Sequence, residues 1–466
     1  MIYPISMNRL LLVFILSSGC CLGAPKVEEL YAQHCQVCHG EKLEGGLGAS
    51  LIDGEWRSDG SIRTLMDILR NGQPEFGMPG FAGQLSESEM RALVIYIQER
   101  EKYALEQPPK PEPGTKNVYS VAGERFRLEK VASGLATPWS VAFLPEGRFL
   151  VTEKLGGLRI IEANGKFGEP IKRTPAVFNK GQGGLLEVAL HPDYAKNGWV
   201  YLAFSDADGD VSMTKIVRGK ISGNNWVEQE TIFEAPKKFY TNRGHHFGCR
   251  IAFDDKGYLF FSIGERGQQE QAQDTIRPNG KIHRIHDDGR IPSDNPFVEN
   301  GFLTIWSYGN RNPQGLDFHP ETGVLWESEH GPRGGDELNV IQRGANYGWP
   351  IVTYGMNYNG TPITSETSRP GMEQPIHYWT PSIAVCGIDF YEGDAFPSWK
   401  NRLLVGSLRQ QELHLITLDG ESVVRDEIIL EDRGRVRDVA SGPDGAIYLV
   451  LNSPDELARL VSQPKD

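Results

Sequence analysis

The chain reads as a small all-α unit followed by an all-β propeller of six blades. Three observations predict this. A strand–turn–strand phrase recurs six times between residue 140 and the C-terminus. Apolar residues at helical spacing, such as Met90, Leu93, Val94 and Ile97, are concentrated before residue 105. Between the two textures lies Gln107-Pro108-Pro109-Lys110-Pro111-Glu112-Pro113-Gly114, whose composition suits a semi-rigid extended linker.

The N-terminus comes first. Arg9 precedes an apolar run from Leu10 to Leu16, the pattern of a signal peptide. The run is short for a bilayer span, and cleavage after Ala24 gives a signal over residues 1–24. Ser18-Gly19-Cys20 is half of a lipid-attachment motif without its usual aliphatic residue, so a free exported protein is favoured over an anchored one. No later segment is apolar enough to span a membrane. The expected location is therefore periplasmic or secreted.

The helical unit is expected over residues 25–104. Its Cys35-Gln36-Val37-Cys38-His39 has one dominant chemical use, covalent haem attachment. Cys35 and Cys38 can reach the two vinyl groups of one haem, and His39 can ligate its iron. A redox C-x-x-C wants a βαβ context and a zinc site wants more ligands nearby; neither is present. Met78, in Gly77-Met78-Pro79-Gly80-Phe81, is a candidate second axial ligand, because His/Met ligation suits electron transfer. Ser86-Glu87-Ser88-Glu89 then has the form of a helix start. The order of C-x-x-C-H, helix, Met-Pro loop and closing helix resembles a class I c-type cytochrome, a family that matures outside the cytoplasm.

The linker is expected over 105–122 and the propeller over 123–466. The six phrases begin near Ser140, Glu187, Arg250, Gly315, Gly387 and Arg437, roughly 50 to 70 residues apart. Each is a strand, a Gly- or Pro-bearing turn and a second strand, and stacked blades bury what one such unit cannot. Lys and Arg total 48 against 61 Asp and Glu, a formal net charge of −13. That argues against nucleic acid, whose recognition needs a basic face. Cys249 and Cys386 remain after the signal and the haem motif; pairing and burial as free thiols are both open. Asp206-Ala207-Asp208-Gly209-Asp210 resembles the start of a calcium loop but lacks the distal Glu, so an acidic hairpin turn is expected.

Several loops carry polar groups that a plain blade does not need. These are Gly181-Gln182-Gly183-Gly184, Gly244-His245-His246-Phe247-Gly248, Arg311-Asn312-Pro313-Gln314-Gly315, His330-Gly331-Pro332-Arg333-Gly334-Gly335-Asp336-Glu337 and Arg435-Val436-Arg437-Asp438. Arginines, a histidine and backbone carbonyls together suit an anionic cofactor held with a hard cation. With Asn346-Tyr347-Gly348-Trp349-Pro350, these phrases resemble the soluble PQQ-dependent sugar dehydrogenases, closest to their aldose branch, over residues 124–462.

The resemblance implies a six-bladed propeller that oxidises an aldose at C1 to the lactone. It implies PQQ and Ca²⁺ there, beside haem c in the N-terminal unit. His246 matches the base that takes the proton of the anomeric hydroxyl, and Arg311 the arginine beside the quinone oxygen. Gly331 and Pro332 match the carbonyls that hold Ca²⁺. Asn312, Arg435 and Arg437 match PQQ-binding groups, Gln182 a glutamine at the sugar side, and Asp336 an acid at the cofactor pocket. Three positions depart from the pattern: His245 stands where glucose-active members have Asp, His330 where they have Gln, and Arg409 where the family usually has a Lys reaching PQQ. The expected partners are an aldose and a downstream electron acceptor, without nucleic acid. The rival reading is a non-enzymatic propeller that binds carbohydrate or protein, fused to an electron-transfer cytochrome.

Overall fold

The computed structural model describes residues 24–106 and 117–464. The expected signal peptide and the Pro-rich core of the linker lie outside them. Helix α1 (Val27–His34) is followed by the short α2 (Gln36–His39), which carries the cysteine motif. Helix α3 (Ile62–Asn71) starts at Ser61, whose side chain accepts from the Thr64 amide. Helix α4 (Glu87–Leu105) starts with the anticipated capping box, Ser86 and Glu89 each satisfying an amide of the other. Leu30, Tyr31, Leu65, Leu69, Leu93, Val94 and Ile97 make one core, with Met78 packed against it.

Six antiparallel sheets form the rest of the molecule. The blades span 138–161, 185–234, 251–308, 313–379, 385–431 and 435–462. The six phrases read in the sequence are the first two strands of these blades. Six apolar clusters lie between neighbouring blades, including one that joins the last to the first through Val450 and Tyr448 against Val151 and Phe149. Burial of side chains such as Leu404 contributes roughly 1.5–3 kcal/mol each, so the ring is held at every seam.

Closure is also made by backbone. Strand Glu124–Ser133 pairs with Glu456–Ser462, adding N-terminal chain to the C-terminal blade and covering the edge of its last strand. Strand Val118–Val121 pairs in turn with Glu124–Arg127 through a turn at Ala122 and Gly123, both at positive φ. The stretch expected as linker, 105–122, is therefore shorter. Helix α4 continues to Leu105, and the propeller's chain begins pairing at Val118. Asp208 and Val211 pair across the acidic tip, which is a hairpin turn as anticipated.

The middle of the ring holds charge rather than oil. Arg250 binds Glu187 at 2.9 Å and Asp438 at 2.6 Å, and donates to the Gln314 and Arg437 carbonyls. Its guanidinium lies over Trp139 at 4.3 Å. Burial pushes the Glu187 carboxyl up to about 8. This plug ties five blades together where their first strands converge.

Candidate active site at the propeller mouth

His246 sits just before the third blade, in the left-handed backbone region at φ 57°. A non-glycine residue held there is over-determined by its surroundings. The Gln182 side-chain oxygen accepts from the His246 amide at 2.8 Å, so the first two polar loops are already joined. The His246 Nδ1 bonds the Glu265 carboxylate, which makes Nε2 the basic nitrogen. Burial, then the charge of Arg311, holds this imidazole well below its ordinary value. It is therefore neutral near pH 7, as a base must be.

Arg311 enters from the fourth blade. Its Nη1 donates to the carbonyls of His330 at 2.8 Å and Gly331 at 2.9 Å. Its amide and that of Asn312 both donate to Glu329. Asn312 receives the Gly248 amide at 3.2 Å, linking it to the His246 turn. His330 is also held well below its ordinary value, chiefly by burial and then by the charges of Arg311 and Arg437. Residues from the third, fourth and sixth blades thus meet at one place.

Asp336 is fully buried and organises the loop between them. Its carboxylate accepts from the Gly331 amide at 2.8 Å, the Ser382 hydroxyl and the Ala384 amide at 2.6 Å. It fixes the peptide next to the Gly331 carbonyl. A Cβ at Gly331 would come within 2.2 Å of the Gly335 carbonyl oxygen, so the turn requires glycine. Arg437 is half-buried and donates to Gln314 at 3.4 Å; Arg435 is exposed. Arg409 is half-exposed, and its guanidinium faces Glu99 of helix α4 at 3.7 Å.

The residues fit the groups that the sequence implies. Arg311 Nε, His330 Nε2 and Trp349 Nε1 are buried without a hydrogen-bond partner among the described residues, which suits a polar cofactor. The Gly331 carbonyl spends one lone pair on Arg311 and keeps the other for a cation. In the helical unit, His39 Nδ1–H donates to the Ala49 carbonyl at 2.8 Å, freeing Nε2 for iron. A Cβ on Gly48 would lie 2.9 Å from the His39 ring, so glycine keeps that imidazole in place. Cys35 is buried and Cys38 exposed. Gln73 and Met78 exchange backbone bonds of 2.9 and 3.2 Å, closing the loop that carries the thioether.

The pattern of the Glucose / Sorbosone dehydrogenase family matches residues 135–460. The chain belongs to that family. A second pattern, cytochrome C oxidase, cbb3-type, subunit III, matches residues 23–97. Aldose sugar dehydrogenase YliI of Escherichia coli is 42% identical over 343 residues, covering 72% of this chain and 92% of the relative. The apo-form crystal structure of the soluble E. coli aldose sugar dehydrogenase superposes with a TM-score of 0.69 at 40% identity, covering 72% of this chain and all of that one. The PQQ-bound aldose sugar dehydrogenase of Streptomyces coelicolor gives 0.60 at 31% identity, covering 72% and 98%. The protein is thus a sugar dehydrogenase fused to a cytochrome c domain.

Some functional residues escaped the sequence. Glu265 is the partner of His246, yet Gly264-Glu265-Arg266-Gly267 reads as an ordinary turn. Lys154, at the end of the first blade's second strand, donates to the Gly181 carbonyl at 2.8 Å and supports the Gln182 loop. The haem domain itself packs on this mouth. Val27 donates to the Gly360 carbonyl at 3.0 Å, and Met356 is buried in the haem-domain core. Glu99 binds Arg333 at 2.6 Å, directly after the Gly331-Pro332 pair. Cys249 and Cys386 are both free, buried thiols.

Proposed function

We propose that this protein is an exported quinohaemoprotein. It oxidises aldoses at C1 to lactones with PQQ and Ca²⁺, and passes the electrons to the haem c of its own N-terminal domain. On this reading, 1–24 is the signal, 25–104 the haem domain and 123–466 the dehydrogenase. The supporting observation is the meeting of the His246–Glu265 pair, Arg311 and the Gly331 turn at one mouth, with the haem domain packed on it. None of the described helices is long and apolar enough to cross a membrane.

His246 accepts the proton of the anomeric hydroxyl at Nε2, while Glu265 fixes the ring and stabilises the imidazolium that forms. Arg311 supplies positive charge where negative charge develops. PQQ, when bound, supplies a two-electron acceptor, with Ca²⁺ as its Lewis acid. Gly331 and Pro332 would hold that ion through their carbonyls. Asn312, Arg409, Arg435 and Arg437 would hold the carboxylates and ring of PQQ, and Gln182 the sugar side. Cys35, Cys38, His39 and Met78 would hold the haem.

Anaerobic mixing of haem-loaded protein, PQQ and Ca²⁺ with a panel of aldoses tests this directly. Haem reduction that requires sugar, PQQ and His246 is the expected result. Reduction of a dye but not of the haem overturns the internal relay. Failure of both overturns the dehydrogenase reading for that panel.

A further inference from the structure

Arg409 departs from the lysine usual in the family, and the structure supplies a reason for the change. Its Nη1 lies 3.7 Å from Glu99 of helix α4, so it faces the haem domain, while its amide donates to the Ile383 carbonyl, next to the Ala384 amide that Asp336 holds. Glu99 is nearly buried, with its side chain 10% exposed, and is held between Arg409 of the fifth blade and Arg333 of the fourth. Arg333 also lies 3.7 Å from Glu28 of α1, and Lys102 lies 3.8 Å from Glu412. Arg91 reaches the Thr364 and Ser365 carbonyls. A Cβ on Gly334 would lie 3.6 Å from Ile95, so α4 rests on the turn that follows Pro332. The dock therefore touches the cofactor loop and the cofactor arginine together.

A lysine ammonium is a point charge, whereas a guanidinium is a planar fork with five donors and two usable edges. One edge can pair with a carboxylate of the cofactor while the other stays on Glu99. An arginine already ordered by Glu99 has less side-chain freedom left to lose when the cofactor arrives. We propose that Arg409 joins the two domains across the cofactor. Glu99 orders it for a PQQ carboxylate, so that haem-domain docking and cofactor binding favour each other. By linkage the coupling is reciprocal. The inference rests on the PQQ reading above.

The test is a double-mutant cycle read as the dissociation constant of PQQ, titrated with Ca²⁺ present into the full haem-loaded chain. E99Q keeps the shape and removes the charge. Haem absorbance and thermal melting check that each variant is folded, and E99D offers a second, charge-retaining variant should E99Q not fold. E99Q is expected to weaken PQQ binding by roughly fivefold, within the range of ordinary coupling energies. In the R409M background the same change is expected to have no further effect. Unchanged or tighter binding by E99Q overturns the proposal, as does an equal loss in both backgrounds. Wild-type protein that binds no PQQ overturns the functional reading itself, which separates the two failures.

Discussion

At the residue scale the decisive pair is His246 and Glu265. Glu265→Gln keeps the volume but removes the carboxylate that fixes the imidazole and balances its charge. A loss on the order of 100-fold in kcat is expected with a dye acceptor, because an acid–base residue works only when oriented. The KM for sugar should change far less. The wild-type pH profile carries a second prediction. Burial and Arg311 lower the His246 pKa, so the neutral base persists below pH 6.5. The acid limb of kcat/KM should then have its midpoint below 6.5, measured with a pH-insensitive acceptor. A midpoint above 6.5 would mean that another group limits the rate. His246 and Arg311 were legible because each stands in a distinctive phrase. Glu265 was not, since a carboxylate on a Gly-flanked turn has no spacing that ties it to a histidine 19 positions away.

At the element scale, the first two strands of each blade were legible and the later strands were less so. First strands lead into Gly- or Pro-bearing turns and second strands such as Leu325–Glu329 and Leu403–Ser407 are buried on both faces, so the pair repeats. Outer strands such as Ser422–Glu431 alternate with solvent and vary freely. The closing strand Glu124–Ser133 was hidden for another reason: its partner lies more than 320 residues away, and no local pattern records that pairing. The fifth blade shows what outer strands can hold. His414 lies between Asp426 at 2.6 Å and Glu412 at 3.2 Å. Burial works against its charge, but the two carboxylates hold its pKa up to about 9. A folded pKa above the unfolded value of 6.5 gives stability that is complete below 6.5 and lost as pH rises through about 9. Its size is about 3 kcal/mol, at roughly 1.4 kcal/mol per pH unit. Thermal melts should therefore show wild-type Tm falling between pH 6.5 and 9.5, and His414→Gln falling much less. Parallel curves would sink this account of the blade.

At the scale of the whole molecule, the proposed relay needs the two domains to act as one redox unit. Sequence showed both domains and a Pro-rich tether, but not the dock. Nothing in the sequence ties Glu99 and Lys102 of α4 to residues more than 230 positions away, and only the fold brings Arg333, Arg409 and Glu412 against them. Two features act together here. A covalent tether makes the encounter intramolecular, with an effective concentration on the order of millimolar for a short linker. The dock then fixes one geometry, because Glu99 and Arg333 are both largely buried and bonded at 2.6 Å. Partly buried pairs of this kind are screened less by salt than exposed ones. Electron transfer from the propeller to the haem domain should accordingly be first order. In stopped-flow mixing with saturating aldose, the rate constant for haem reduction is expected to stay constant over a hundredfold dilution of PQQ-loaded protein. It should fall only modestly between low and moderate salt. A rate that scales with protein concentration would mean that the haem of one molecule serves the propeller of another, and the contact between α4 and the mouth would then have no part in the relay.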